Sequence, residues 1–456
     1  MGSITLEEII RATGGRELSA GPDTFAGVSI DSRTIRQGEF FVALRGENFD
    51  GHAFVGAALR TGYGALVSDP GASLPAGRTV VLVQDTLRAL QDLARHRRGR
   101  RDVPVIGVVG TNGKTTTKEM IAAIFSQKRK VLKTAGNLNN HIGLPLCLCR
   151  MDGDEDVMVL EMGSSVRGDI SLLCEIAKPA YAVATNVGHA HLEGFGSLEA
   201  VRDTDLEILP YVRAAVVNAD DRFLCEGVKG FSGRLIRYGL EQPADATARD
   251  IVLHERGSSF TLALPGREPF GGRLRVPGRF NVSNAVAAAA VAAEAGASSE
   301  EIAAGLAGFS GVAMRLEIRE ARGGMVISDH YNANPLSMAA ALRELVRLKR
   351  DRMIAVLGDM LELGPYAKDE HRKLVESLNA AGVAVLIAVG PEMAAASAHF
   401  RGERLEAADS RAAGALLDGI FRSGDTVLIK GSRGMKMEHA IPADAKVAPG
   451  EGSHAV

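Results

Sequence analysis

The segment Val105–Thr117, VIGVVGTNGKTTT, runs from an apolar stretch through a glycine turn into a lysine and three threonines. A short apolar run rich in β-branched residues predicts a buried strand. Beyond the turn, Met120, Ile121, Ile124 and Phe125 share one helical face. A strand–turn–helix of this kind offers backbone N–H groups and a helix N-terminus to an anion. Gly110 and Gly113 let the chain turn tightly around Thr111 and Asn112, and Lys114 supplies a point charge for β- and γ-phosphates. The Thr115 hydroxyl is placed to reach Mg²⁺, and Thr116 follows it in the helix's first turn. The general phosphate-loop pattern has a further glycine where this chain has Val108, so the loop is the shortened form G-x-x-G-K-T. Such a string is not rare in a chain with 52 glycines. Its place between a buried strand and an amphipathic helix makes a nucleotide site the expectation, with a purely structural turn as the alternative.

The flanking sequence extends the pattern. Val157–Leu160, Ala182–Thr185 and Ala214–Val217 are apolar runs that alternate with helical stretches. This predicts a mostly parallel sheet with helices on both faces. Upstream, residues 38–44 (GEFFVAL) and 65–68 read as strands around a helix over 53–60. Downstream, Ile354–Leu357, Ala384–Val389 and Val427–Ile429 read as strands, and Met338, Ala341, Leu342, Leu345 and Leu348 form a helix face. At roughly 100–200 residues per domain, 456 residues suit three α/β domains, with expected limits 1–102, 103–312 and 313–456. The first break is the basic run Arg95–Asp102 (RHRRGRRD), read as a solvated linker or helix end rather than a phosphate patch. The second lies near Gly308–Met314, and the tail from Pro442 is small, polar and expected to fray.

Composition excludes several classes. Lys plus Arg is 53 against 55 Asp plus Glu, a formal net charge of −2, which argues against a broad nucleic-acid binder. Four cysteines without a C-x-x-C pair argue against a disulfide scaffold or a zinc ribbon. The first 30 residues hold Glu7, Glu8 and Arg11 and no apolar stretch of signal-peptide length. Ala285–Ala293 is too short to span a bilayer. A cytoplasmic location without membrane insertion is the expectation.

Mg²⁺ takes oxygen ligands. Glu161 closes an apolar run, which puts its carboxylate at the carboxyl end of a strand, where α/β sheets bind ligands. His191 in TNVGHAHLEGFGS follows another strand. Beside Thr115 and Glu161 it is a candidate ligand; alone it reads as a turn or packing residue.

With these residues in place, the chain resembles the Mur ligases, ATP-dependent amide-forming enzymes of peptidoglycan precursor synthesis. The resemblance rests on DSR (31–33), GEFFVALRGENFDGH (38–52), GTNGKTT, TAGNLNNHIGLP (134–145), EMGSSVRGDI (161–170), VVNADD (216–221) and PGRFNVSNAVAAAA (277–290). DHYNANPLSM (329–338), GDMLELG (358–364) and LIKGSR (428–433) are similar to the members that add D-alanyl-D-alanine. The resemblance implies a uridine-nucleotide-binding first domain, a P-loop ATPase-like central domain and a Rossmann-like third domain that binds the dipeptide and closes on ATP. It implies ATP and Mg²⁺ as cofactors, UDP-N-acetylmuramoyl-tripeptide and D-alanyl-D-alanine as partners, and a monomer.

Carried over by position, Lys114, His191 and Arg315 would be catalytic. Thr115 and Glu161 would hold one Mg²⁺, with His191 serving a second. Asn281 and Asn284 would lie against adenine, Asp329 would bind ribose, and Tyr331 and Asn332 would line the nucleotide pocket. Ser32, Arg33, Asn48, Asn137 and Asn139 would bind the UDP-peptide. Asn332 and Asn334 also read as turn formers before Pro335.

Three positions depart from the family pattern. Asp205 stands where a carbamoylated lysine is expected to support the second Mg²⁺; it reads either as a substitute carboxylate or as the mark of an altered second site. Phe280 replaces a histidine, and Met314 replaces the glycine before Arg315. A Mur-type ligase with another amine acceptor and an impaired paralogue acting as a scaffold are the competing expectations.

Overall fold

The computed structural model describes residues 2–46, 49–69, 75–189 and 192–447, and these form three α/β domains. The central sheet has nine strands among the described residues. Val105–Val109 lies inside it, paired in parallel with Val157–Glu161 on one side and Tyr181–Ala184 on the other. Val131–Lys133, Ala214–Asn218, Arg234–Gly239 and Ala246–Leu253 continue the parallel set. Ser258–Ala263 and Phe270–Leu274 then add two antiparallel edge strands.

The alanine-rich segment is helix Arg279–Glu294, and Ala285 to Val291 are buried against the sheet and helix Lys114–Phe125. Methyl-sized side chains let these elements approach closely. Helix Ser299–Gly308 comes closer still: a Cβ at Gly305 would lie 2.3 Å from Ile124 Cα, backbone that cannot yield cheaply. The helix carrying the phosphate loop is therefore held from two sides. No helix among the described residues is long and apolar enough to cross a membrane.

Among the described residues the first domain is built on a five-stranded sheet in which Gly27–Ser29, Glu39–Val42, Gly64–Val67 and Thr79–Leu82 run parallel. The helix expected over 53–60 is a 3₁₀ turn, Gly51–Phe54, followed by a single α-turn, Val55–Ala58. The basic run is the end of helix Thr86–Gly99, but two of its arginines are not solvated. Arg97 donates to Met151 O at 2.7 Å and pairs with Glu8 at 3.3 Å; Arg98 donates to Ala177 O at 2.8 Å. Ala177 ends helix Asp169–Ala177, whose last carbonyls lack intrahelical partners and carry the negative end of the dipole. Charge runs usually face water; here they fasten the first domain to the second.

Among the described residues the third domain has a seven-stranded sheet whose core order is Glu403–Ala407, Val385–Val389, Arg352–Gly358, Asp425–Lys430 and Gly324–Ser328, all parallel. Glu317–Ala321 is antiparallel to the last of these. The tail does not fray at once after Pro442: Lys446 and Val447 pair with Glu320 and Arg319.

Candidate active site

The carboxyl ends of the central strands open onto a cavity of about 1250 Å³ shared with the third domain. In the loop beside it, Gly110 and Gly113 have φ of +121° and +82°. A Cβ would meet Thr185 Oγ1 at 2.1 Å from Gly110 and Asn284 Oδ1 at 2.6 Å from Gly113, so the loop requires glycine at both. Lys114 opens helix Lys114–Phe125, and its ammonium turns back to donate to Gly110 O and to Thr111 O. Thr111, Asn112, Thr115 and Thr116 line the same cavity.

Glu161 stands at the end of strand Val157–Glu161, buried. Its Oε1 accepts from Asn139 Nδ2 at 2.9 Å, while Oε2 is buried with no hydrogen-bond partner. A buried carboxylate oxygen without a donor is expensive unless a cation or proton fills the gap. With the Thr115 hydroxyl beside the same cavity, this donor set fits a hard cation such as Mg²⁺. Asn137 and Asn139 line the cavity on this side.

Asn281 and Asn284 lie buried in the first turns of the alanine-rich helix, also on the cavity wall. Asn281 donates to Pro277 O at 2.7 Å, and Asn284 Nδ2 reaches Asn281 Oδ1 at 3.4 Å. Phe280 beside them packs against the core of the third domain, an apolar contact that a histidine would make less well.

The third domain supplies the opposite wall. Arg315 donates to Thr115 Oγ1 at 3.1 Å, and its guanidinium lies over the Tyr331 ring, 4.3 Å from the centroid. Met314 and Leu316 on either side have φ of +64° and +50°, the left-handed region that glycine tolerates best. Asp329 accepts from Leu316 N at 3.2 Å and from Lys430 Nζ at 2.7 Å; Lys430 also donates to Asn332 O at 2.9 Å. Lys430 was not singled out from sequence, although it closes an apolar strand within LIKGSR just as Glu161 closes its own. Asn186, which contacts the loop, has no place in the sequence reading, and Asn334, which also contacts it, enters only as a turn former before Pro335.

Other expected residues lie apart. Arg33 is exposed and bound to Asp31 at 2.7 Å, which holds the Asp31 carboxyl down at about 2. Neither Arg33 nor Ser32 lines the cavity. Asn48 and His191 lie outside the described residues. Nearby, His189 Nδ1 is 3.6 Å from Glu370, and its ring centroid is 5.6 Å from that of Tyr366, so this loop reaches the third domain.

Asp205 ends helix Leu198–Asp205, buried beneath the loop and outside the cavity lining. Burial pushes its carboxyl up to about 6, against the pull of Lys114, the Ser164 hydroxyl at 3.4 Å and the Gly110 N–H.

A phosphate loop and an unpaired carboxylate oxygen, faced by an arginine from a separate Rossmann-like domain, define a nucleotide-dependent enzyme assembled from three domains. The chain belongs to the Mur ligase family. Its family models match in order: Mur ligase family, catalytic domain, over residues 24–98; Mur ligase middle domain over 108–292; and Mur ligase, glutamate ligase domain over 314–433. The chain is 38% identical to the UDP-N-acetylmuramoyl-tripeptide–D-alanyl-D-alanine ligase of Escherichia coli, covering 97% of this chain and 98% of that one. It is 36% identical to the Bacillus subtilis ligase of the same name, over 91% and 92%. A crystal structure of MurF from Acinetobacter baumannii superposes with a TM-score of 0.89 at 31% identity, over 96% and 98% of the two chains. MurF ligase from Thermotoga maritima in complex with ADP gives 0.80 at 32%, over 91% and 96%.

Proposed function

We propose that the chain joins D-alanyl-D-alanine to UDP-N-acetylmuramoyl-tripeptide at the expense of ATP, giving the UDP-pentapeptide, ADP and phosphate in cytoplasmic peptidoglycan precursor synthesis. The observation that carries this reading is the single cavity in which Lys114, Glu161, Asn139 and Arg315 converge from two domains. Relatives of that activity that match almost end to end support it.

The chemistry is a two-step exchange. A tripeptide carboxylate oxygen attacks the γ-phosphorus, the bond to ADP breaks, and an acyl phosphate forms. The dipeptide amine then attacks the acyl carbon, loses a proton, and phosphate leaves. Two anions must be brought together, so the protein's main tasks are positioning and offsetting charge. Lys114 leaves its loop carbonyls for the β- and γ-phosphates, and Arg315 approaches them from the other side. Asn281 and Asn284 flank adenine, Asp329 takes ribose, and Tyr331 and Asn332 complete the pocket. Thr115 and Glu161 would hold one Mg²⁺, and His191 would serve a second. When bound, the ion would neutralise phosphate oxygens and polarise the γ-phosphorus. Asn137 and Asn139 meet the peptide end of the substrate, and Ser32, Arg33 and Asn48 its uridine end.

In this reading residues 1–102 bind the UDP-sugar, 103–312 bind ATP and 313–456 bind the dipeptide and close, in a monomer. Asp205, sealed beneath the loop, marks an altered second metal site. Asp205→Lys assayed with bicarbonate should then raise turnover, and unchanged or lower turnover would show an adapted carboxylate instead. The reading is tested by phosphate release. Release should require both UDP-tripeptide and D-alanyl-D-alanine and vanish in Lys114→Ala. Nucleotide binding without release would favour the scaffold reading that Asp205 suggests, and release with another amine a different acceptor.

A further inference from the structure

The phosphate loop is held by side-chain amides from two domains. Asn186, just past strand Tyr181–Ala184, brackets the backbone of Asn112: its Oδ1 accepts from Asn112 N at 3.0 Å, and its Nδ2 donates to Asn112 O at 3.1 Å. The Asn112 side chain points the other way. Its Nδ2 donates to Asn334 Oδ1 at 3.1 Å, and its Oδ1 accepts from Asn334 Nδ2 at 2.9 Å. Asn334 belongs to the third domain, where it caps helix Pro335–Arg347 by accepting from Ser337 N at 2.9 Å.

The amide orientations are mutually determined. Asn186 must direct oxygen to an N–H and nitrogen to a carbonyl. Asn334 must direct its oxygen to the Ser337 N–H. Asn112 then has one orientation that satisfies both of its amide atoms, and it is the one observed. Two reciprocal hydrogen-bonded pairs thus share one residue. One pair fixes the loop's backbone from within the central domain. The other exists only while the third domain is docked. Packing agrees, since a Cβ at Gly188, which follows Asn186 by two residues, would come within 2.3 Å of Leu336 Cδ1 beside the cap.

We propose that Asn186 and Asn334 are positioning residues with separate tasks: Asn186 holds the phosphate loop in its nucleotide-binding shape, and Asn334 ties that loop to the docked third domain for turnover. This rests on the ligase reading above. It goes further in assigning the coupling between domain docking and the loop to a pair of neutral amides.

The test separates binding from turnover. Asn334→Ser keeps a cap oxygen for Ser337 but removes the reciprocal pair. Asn112→Ala removes the pair from the loop side. Each should lower kcat about tenfold, the double variant should lose no more than the worse single, and in Asn334→Ser nucleotide affinity without peptide substrates should change less than threefold. Asn186→Ala should instead weaken that nucleotide affinity about tenfold. Additive losses in the double variant, or equal loss of affinity and turnover in Asn334→Ser, would overturn the assignment. Spin-label distances between exposed positions on the two domains provide an arm independent of catalysis. In the ligand-free chain they should broaden or lengthen in Asn334→Ser and Asn112→Ala, and unchanged distances would remove the clasp. An inactive wild type with distances that still respond would sink the ligase reading and leave the clasp standing.

Discussion

The guanidinium of Arg315 donates to the Thr115 hydroxyl across 3.1 Å, joining the third domain to the first turn of the phosphate-loop helix in the second. In the proposed reaction Arg315 would leave this hydroxyl for phosphate. Replacing Arg315 with alanine should cut turnover by about a hundredfold or more, the scale of losing a preorganised charge at a transition state. Apparent Mg²⁺ affinity should not weaken, because the arginine occupies the hydroxyl rather than assisting it. Steady-state kinetics over a magnesium titration would check this, and a loss appearing only as a raised Mg²⁺ requirement would contradict it.

Glu161 presents one satisfied oxygen to Asn139 and one without a partner. Glu161→Gln keeps the shape and removes the charge. The Mg²⁺ concentration giving half-maximal activity should rise on the order of tenfold or more, comparable with disturbing a metal's immediate surroundings. An unchanged magnesium dependence would take Glu161 out of the metal site.

Burial holds the Asp205 carboxyl at about 6 against 3.8 when free. The folded chain therefore binds this proton more tightly than the unfolded chain, and stability falls as pH rises between those values. The penalty is absent below about pH 4, complete above about pH 6, and on the order of 3 kcal/mol. Asp205→Asn should raise the melting temperature at pH 8, in the absence of magnesium, and leave it nearly unchanged at pH 4. A gain that did not depend on pH would point to packing instead.

Met314 holds φ at +64° immediately before Arg315. A left-handed conformation costs a non-glycine residue about 1–2 kcal/mol, whereas glycine adds about 0.5–1 kcal/mol of unfolded-state entropy. Met314→Gly should therefore leave the chain equally stable or up to about 1.5 kcal/mol more stable, as read by thermal melting. A clear loss would show that the Met314 side chain, whose sulfur lies 3.9 Å from Arg433, contributes more than its backbone forfeits.

Much of this site was legible from the sequence because strand ends are local features. An apolar run that closes on a polar residue places that residue at the carboxyl edge of a parallel sheet, and Glu161 obeyed the rule. Lys430 obeyed it too, but a buried lysine paired to Asp329 looks no different in sequence from one facing water. Arg97 and Arg98 show the opposite failure: a run of like charge reads as solvated unless helix ends elsewhere in the chain offer carbonyls to it.

The amino-acid order alone pointed to the phosphate loop, since an apolar strand, two glycines, a lysine and an amphipathic helix follow one another locally, although the clashes that exclude a side chain at Gly110 and Gly113 come from Thr185 and Asn284, far along the chain. It also settled the alternation of strands and helices, through hydrophobic period. Packing settled the rest. Asn112 and Asn334 lie 222 residues apart and meet only because two separately folded domains dock. Arg315 reaches Thr115 for the same reason. Contacts between domains depend on the shapes of whole surfaces, and no local pattern in a chain encodes those.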